Sequence, residues 1–216
     1  MVFNLSEQNS IANRFIAELR DVNIQQDSMR FRHNLECLGE ILAYEISKTL
    51  SYVEKQVETP LGIAQAQVPN QQIVLATILR AGLPMHQGML RFFNDAGNAF
   101  VSAYRRHHKD GSFDIHMEYI SSPNLEGKVV IISDAMLATG ASMATVAKAL
   151  MELGTPAQLH FATAVASTDG LEHIQRVLPE AHVWIGALDE ELTAKSYIVP
   201  GLGDAGDLSY GLKLQE

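Results

Sequence analysis

The chain has 216 residues, 47% of them hydrophobic, and 16 lysines and arginines against 25 aspartates and glutamates give it a formal net charge of −9. Such a length buries a full core as a single domain over residues 1–216. The acidic balance speaks against sequence-independent nucleic-acid binding, which needs a basic footprint, and no apolar run is long enough to span a bilayer. Cys37 is the single cysteine, so no intrachain disulfide can form, and the first residues lack a basic stretch followed by an apolar one; the expected setting is the cytoplasm, away from membranes.

Residues 10–20 carry Ile11, Phe15, Ile16 and Leu19 at helical spacing. Asp27 or Ser28 caps a longer helix, with Phe31, Leu35, Leu38, Ile41, Leu42, Ile46 and Leu50 three and four residues apart, until Thr59-Pro60-Leu61-Gly62 breaks it. Residues 65–72 read as a loop or weak hairpin. From Ile73 the pattern changes. Ile73-Val74-Leu75-Ala76-Thr77-Ile78 is a buried strand, residues 82–93 a helix and residues 99–104 a second strand. Residues 105–114 are polar around Asp110-Gly111, a hairpin-turn signal, so residues 105–118 are expected to form a flexible hairpin with a return strand at 115–120. A strand at 129–134, a helix at 142–153, a strand at 159–166, a helix at 170–178 and a strand at 182–188 complete the series. Apolar strands alternating with helices predict an α/β fold, a doubly wound and mainly parallel sheet. The N-terminal portion, residues 1–70, supplies helices and an arm expected to pack on the flank of that core.

Three segments carry chemistry. Val129-Val130-Ile131-Ile132-Ser133 delivers Asp134 to the carboxyl end of a strand, where open parallel sheets bind ligands. Ala138, Gly140 and Ala141 are small enough to admit a phosphate to the backbone, Thr139 and Ser142 add hydroxyls, and the following helix directs its positive end there. Asp134 suits sugar hydroxyls, so a ribose 5-phosphate fits both halves; an ordinary strand-to-helix turn capped by Thr139 accounts for the spacing equally well. Leu79-Arg80-Ala81-Gly82 puts a guanidinium and small residues at the same sheet edge, a combination suited to a diphosphate. Arg105 and Arg106 could join it, or with Lys109 form a solvated hairpin tip. Finally, Tyr197-Ile198-Val199-Pro200-Gly201-Leu202-Gly203-Asp204-Ala205-Gly206-Asp207 is too rich in glycine and proline for a helix, and reads as a rigid loop with bare backbone groups. His107, His108 and His116 flank the polar turn without a carboxylate pattern that would complete a metal site, and Trp184 reads as core.

In order and spacing, these segments, together with Arg30-Phe31-Arg32 and Tyr104-Arg105, resemble the uracil phosphoribosyltransferase family over essentially the whole chain. The Pro200 to Asp207 run is the most specific part. The resemblance implies a type I phosphoribosyltransferase fold with a hood, residues 189–216, over the base. It implies transfer of ribose 5-phosphate from phosphoribosyl diphosphate to N1 of uracil, with Mg²⁺ carried on the diphosphate and no dedicated protein metal site. By position, Asp134 would hold the ribose hydroxyls and Ala138, Thr139, Gly140, Ala141 and Ser142 the 5-phosphate. Arg80, Ala81, Gly82 and Arg105 would face the diphosphate, with a cis bond at Arg80–Ala81, and Tyr197, Ile198, Gly203, Asp204 and Ala205 would line the uracil site. A homo-oligomer, dimer or higher, is expected. The common pattern is departed from at Ala135, Ala141, Gln87, Leu208 and Lys195-Ser196. The alternative is a nucleotide-binding regulatory protein on the same fold with weak or no transferase activity.

Overall fold

The computed structural model describes residues 1–107 and 113–214, without the side chains of 104–107 and 113–116. Seven of the described strands form one sheet. In chain order these are β1 (Val2–Asn4), β4 (Ile73–Leu79), β5 (Gly97–His107), β6 (Phe113–Ser121), β7 (Val129–Leu137), β8 (Gln158–Ser167) and β9 (His182–Asp189); β2 (Tyr52–Thr59) and β3 (Gly62–Pro69) pair with each other outside it. The spatial order is β1-β9-β8-β7-β4-β5-β6, parallel throughout except for the antiparallel β5–β6 pair. The central strands are apolar at nearly every position because both faces are covered. Leu75 and Ile131 face the layer containing α1 (Ala12–Arg20), α2 (Ser28–Ser47) and α3 (Leu83–Leu90). Their neighbours Val74, Ile78, Val130 and Ile132 face α4 (Ala141–Met151) and α5 (Thr168–Val177). Trp184 is core, as expected from the sequence.

Several boundaries differ from the sequence reading. The long helix ends at Ser47, and the chain then pairs residue by residue from Tyr52↔Pro69 to Thr59↔Gly62. In β3, Ala64, Ala66 and Val68 alternate with Gln65 and Gln67, a two-residue period, whereas Val53 and Val57 in β2 stand four apart and continue the helical spacing of the preceding segment. Every β2 residue is exposed, as are six of the eight in β3, so this arm stands out from the core rather than packing on it. The short β1, unanticipated, adds to the β9 edge with Phe3 beside Trp184. The β7 strand runs on to Leu137, three residues further than the sequence suggested, because Met136 and Leu137 still pair with Val165 and Ala166. The tip of the expected hairpin at 105–118, residues 108–112 with His108, Lys109 and Asp110-Gly111, lies outside the described residues, as do the side chains of Arg105, Arg106, His107 and His116. No described helix is long and apolar enough to cross a membrane.

Candidate active site

The chain order of the strands reverses at the β4–β7 junction: from β4 it moves outward to β5 and β6, then returns to the other side of β4 with β7, β8 and β9. Loops leaving two strands at such a switch point diverge and open a crevice at their carboxyl ends. The loops in question are Arg80-Ala81-Gly82 after β4 and Ala138-Thr139-Gly140 after β7. Arg105 belongs to the adjacent β5 near its carboxyl end, three residues past the Leu79↔Ser102 pair. The sequence-selected phosphate and diphosphate residues are thus brought to one edge of the sheet by topology alone.

The two loops are built differently. Gly82 lies directly across the β4–β7 seam: a Cβ there would come within 2.5 Å of both Ser133 O and Thr77 Oγ1, so only glycine lets the chain turn this tightly into α3. The cis peptide precedes Arg80, at Leu79–Arg80, one bond before the position the resemblance implied. Beyond β7, Gly140 takes φ +76 and starts α4, with its carbonyl accepting from Ala144 N at 2.9 Å. Ala141, where the family commonly has glycine, is the first helical residue, so the positive φ that would penalise a methyl falls on Gly140 instead. Thr139 Oγ1 accepts from Ala141 N at 3.4 Å. Asp134 is half-buried on β7, and its Oδ1 accepts from Ala135 N at 2.7 Å, a bond the proline common at that position could not donate.

The C-terminal segment folds over the β4 loop. β10 (Glu191–Leu192) and β11 (Ile198–Val199) form a small antiparallel ladder, a cis Val199–Pro200 bond leads into Gly201, and Gly203 has φ +91. Contrary to the expectation of an unbroken loop, the last three residues of the Tyr197–Asp207 run are helical. They open α6 (Ala205–Tyr210), made possible by Asp204, whose Oδ1 accepts from Asp207 N at 3.0 Å as an N-cap. Asp204 Oδ2 also pairs with Lys213 Nζ at 3.0 Å. Burial pushes the Asp204 carboxyl up, but the Asp207 amide and the Lys213 ammonium outweigh it and hold its pKa below the ordinary value. Arg80 does not point into open space: its Nη2 donates to Asp207 Oδ1 at 2.9 Å and to Gly211 O at 3.3 Å. Leu208, a departure from the usual basic residue, packs against the core. Tyr197 is exposed, and Ile198 is buried with its carbonyl against Gly201.

Sequence reasoning missed the residues that hold this hood. Arg20 Nη1 and Nη2 donate to Asp189 Oδ2 and Oδ1 at 2.7 and 2.8 Å, and Nη1 also reaches Gly201 O at 3.1 Å. Asp189 Oδ2 accepts from Gly201 N at 2.9 Å, so one buried carboxylate ties α1, the end of β9 and the turn after Pro200 together. Gln25 Nε2 donates to Leu19 O and Leu202 O, and Arg32 Nη1 donates to Ser209 O at 2.6 Å while its guanidinium lies over Tyr210. The one local hint was a carboxylate, Asp189, closing an apolar strand.

The chain matches the uracil phosphoribosyltransferase family model over residues 6–211. It belongs to that family. A uracil phosphoribosyltransferase of Porphyromonas gingivalis is 52% identical over 214 residues, covering 99% of each chain. One from Thermococcus gammatolerans is 36% identical over 212 residues, 97% of this chain and 93% of its own. The AQ2163 protein of Aquifex aeolicus superposes over the whole of both chains with a TM-score of 0.88 at 31% identity. A hypoxanthine phosphoribosyltransferase of Staphylococcus aureus, TM-score 0.50 at 13% identity, shares the fold and covers 86% of this chain and 84% of its own. The sheet is therefore the doubly wound sheet of the type I phosphoribosyltransferases, and the segments that carried the resemblance fall within the matched span.

Proposed function

We propose that this chain transfers ribose 5-phosphate from phosphoribosyl diphosphate to N1 of uracil, releasing UMP and diphosphate, in pyrimidine salvage in the cytoplasm. The observation that carries the proposal is the strand order, which sets the Asp134 strand and its small-residue loop beside the Arg80 loop at the switch point, with the glycine-rich hood fastened to Arg80. In this reading Asp134 holds the ribose hydroxyls and stabilises the positive charge that grows on the sugar as the C1–O bond stretches. Ala138, Thr139, Gly140, Ala141 and Ser142 cradle the 5-phosphate at the start of α4. Arg80 and Arg105, with the backbone of Ala81 and Gly82, take the negative charge collecting on the leaving diphosphate, for which Arg80 exchanges one anionic partner, Asp207, for another.

The donor set suits Mg²⁺ that arrives with its substrate, since that ion keeps several waters and is held by one or two carboxylates plus phosphate oxygens. Asp134 is the carboxylate at the right edge of the sheet. Bound there, the ion would neutralise charge on the leaving diphosphate. Backbone groups around Ile198 and Gly203, with Tyr197, Asp204 and Ala205 beside them, read the base. Uracil presents two carbonyl acceptors flanking one N–H donor, whereas cytosine reverses the pattern at positions 3 and 4, so a rigid backbone rejects it. The active form is a homo-oligomer: a two-stranded ribbon as exposed as β2–β3 is marginal by itself in water and gains stability by lying on a second copy.

Diphosphate release assayed with uracil, cytosine, hypoxanthine and orotate tests the reaction. Turnover with uracil alone is expected; none with uracil refutes the proposal. Light scattering of the intact chain and of one lacking the arm tests assembly, and a monomeric intact chain refutes that part.

A further inference from the structure

We infer that Ser167, the last residue of β8, is a positioning residue that aims the Thr139 amide at the 5-phosphate. The inference rests on the function proposed above and adds a residue that lies outside the loop itself. Ser167 is fully buried and stands where the β7–β8 ladder gives out, one place beyond the Leu137↔Ala166 pair. Its hydroxyl works in both directions. As N-cap of α5 it accepts from Gly170 N at 2.9 Å, and it donates to Ala138 O at 2.5 Å. A serine hydroxyl has one proton, and here it is committed to the carbonyl of the first residue of the loop.

That commitment fixes more than the carbonyl. The Ala138–Thr139 bond is trans, and in a planar trans peptide the C=O and N–H point to opposite sides. Drawing Ala138 O down onto Ser167 therefore turns Thr139 N–H away from β8 and α5, outward from the support beneath the loop. Gly170 reinforces the arrangement from below, because a Cβ there would run into Ala138 O and lie 2.7 Å from Leu137 O. The loop thus rests on the first turn of α5 with no side chain between them, and one buried proton decides which way its leading peptide faces. An N-cap role alone would need only the acceptor, which aspartate supplies as well as serine; donation to Ala138 O is the part that aspartate cannot supply once ionised.

The test separates aim from folding. Ser167→Ala removes donor and cap, Ser167→Asp keeps a cap acceptor without a proton to donate, and Ser167→Thr keeps the hydroxyl. Each protein is titrated calorimetrically with ribose 5-phosphate and, separately, with inorganic diphosphate and Mg²⁺, and assayed for KM of phosphoribosyl diphosphate and of uracil. Ser167→Ala and Ser167→Asp should weaken ribose 5-phosphate and raise KM for phosphoribosyl diphosphate about tenfold, the scale of one hydrogen bond to a charged group. Diphosphate affinity and KM for uracil should stay within twofold, and Ser167→Thr should restore the loss. Taking the ratio of the two affinities within one preparation cancels any unfolded fraction, and the aspartate variant carries the test if the alanine one does not fold. Unchanged relative affinity for ribose 5-phosphate in a folded variant, or equal loss of both ligands, overturns the inference while leaving wild-type transfer to uracil intact. A wild-type protein without that transfer refutes the proposed function instead.

Discussion

The loop after β7 and the hood after β9 both turn on glycines at positive φ, Gly140 in the one and Gly201 and Gly203 in the other, yet they are held in place by different means. The loop is fastened by its immediate surroundings: the last pairs of the β7–β8 ladder, the Ser167 hydroxyl and the first turn of α4. The hood is held by long charged side chains from far away in sequence, Arg20 from α1, Arg32 from α2 and Arg80 from the end of β4. In the function proposed above the phosphate site is thus carried by sheet ends and the base site by ion pairs, so the two should be separable by mutation.

Replacing Asp134 by Asn should have the largest effect on catalysis. In the proposed mechanism it removes the carboxylate that offsets charge on the ribose, and it should slow transfer by about 10²–10³, the usual scale for one strong electrostatic contact in a transition state. The melting temperature should hold, since Asn keeps an oxygen for the Ala135 amide. Unimpaired turnover would remove Asp134 from the mechanism.

Next in size is Arg20→Ala, which attacks the hood alone. Asp189 is 7% exposed and would lose both guanidinium bonds. Breaking a buried pair from one side costs about 3–5 kcal/mol, and the figure here should lie at the low end because Gly201 N still donates to the carboxylate. Urea denaturation gives the stability loss. Steady-state kinetics should show KM for uracil rising while the affinity for phosphoribosyl diphosphate, resting on the β7 loop, stays within twofold. Parallel loss of both would show that the two regions are not separately held.

The same contrast explains what could be read without a structure. The alternation of strands and helices, Asp134 at a strand end and the small residues from Ala138 to Ser142 are local patterns, and local patterns decide local geometry. The Tyr197–Asp207 run was legible as a rigid segment for the same reason, although Asp204 capping three of its residues into α6 was not foreseen. Arg20–Asp189 and Arg80–Asp207 join residues whose proximity depends on the finished topology, and apart from the carboxylate of Asp189 closing an apolar strand nothing in their neighbourhoods announces a partner. The β2–β3 arm is the counter-example: Val53 and Val57, four apart, continue the apolar spacing of α2 past Ser47, and only Ala64, Ala66 and Val68, alternating with Gln65 and Gln67, carry a two-residue period.

Mild acid should weaken the sheet before it loosens the pairing of Glu18 on α1 with Arg30 on α2. His160 on β8 is fully buried. Burial foremost, then the neighbouring His182 and the chain's amino terminus, lower its pKa from 6.5 to about 3. The Trp184 indole N–H donates to His160 Nδ1 at 3.0 Å, so protonation would set two donors face to face. The unfolded chain binds this proton more readily than the native one, so the contribution is complete above pH 6.5 and is lost as pH falls toward 3, by about 1.4 kcal/mol per unit. Glu18, held to about 2 chiefly by Arg30, contributes stability that begins to fall only below its ordinary value of 4.5. Urea midpoints followed by Trp184 fluorescence should therefore decline between pH 6.5 and 5, and a His160→Gln variant should decline less steeply, the remaining slope coming from His86 and His182, whose pKa values burial also lowers. An equal slope in both proteins would assign the acid sensitivity elsewhere.

The smallest effect concerns a contact that joins the hood to the loop after β4. Arg80 and Asp207 are paired at 2.9 Å with 40% and 22% of their side chains exposed. A pair this open to solvent contributes less than about 1 kcal/mol, so Asp207→Asn should leave the melting temperature nearly unchanged. Its consequence should appear in binding. If Arg80 must leave Asp207 to meet the leaving diphosphate, then removing the charge on Asp207 lowers the cost of that exchange. Affinity for phosphoribosyl diphosphate should rise, by less than about fivefold given the size of the pair. The gain should shrink as salt is added, because screening already weakens the pair in the wild type. Calorimetric titration at low and high ionic strength measures both. A fall in affinity would reverse the relation: Asp207 would then hold Arg80 in position for the diphosphate rather than compete for it, and the hood would be a working part of the diphosphate site.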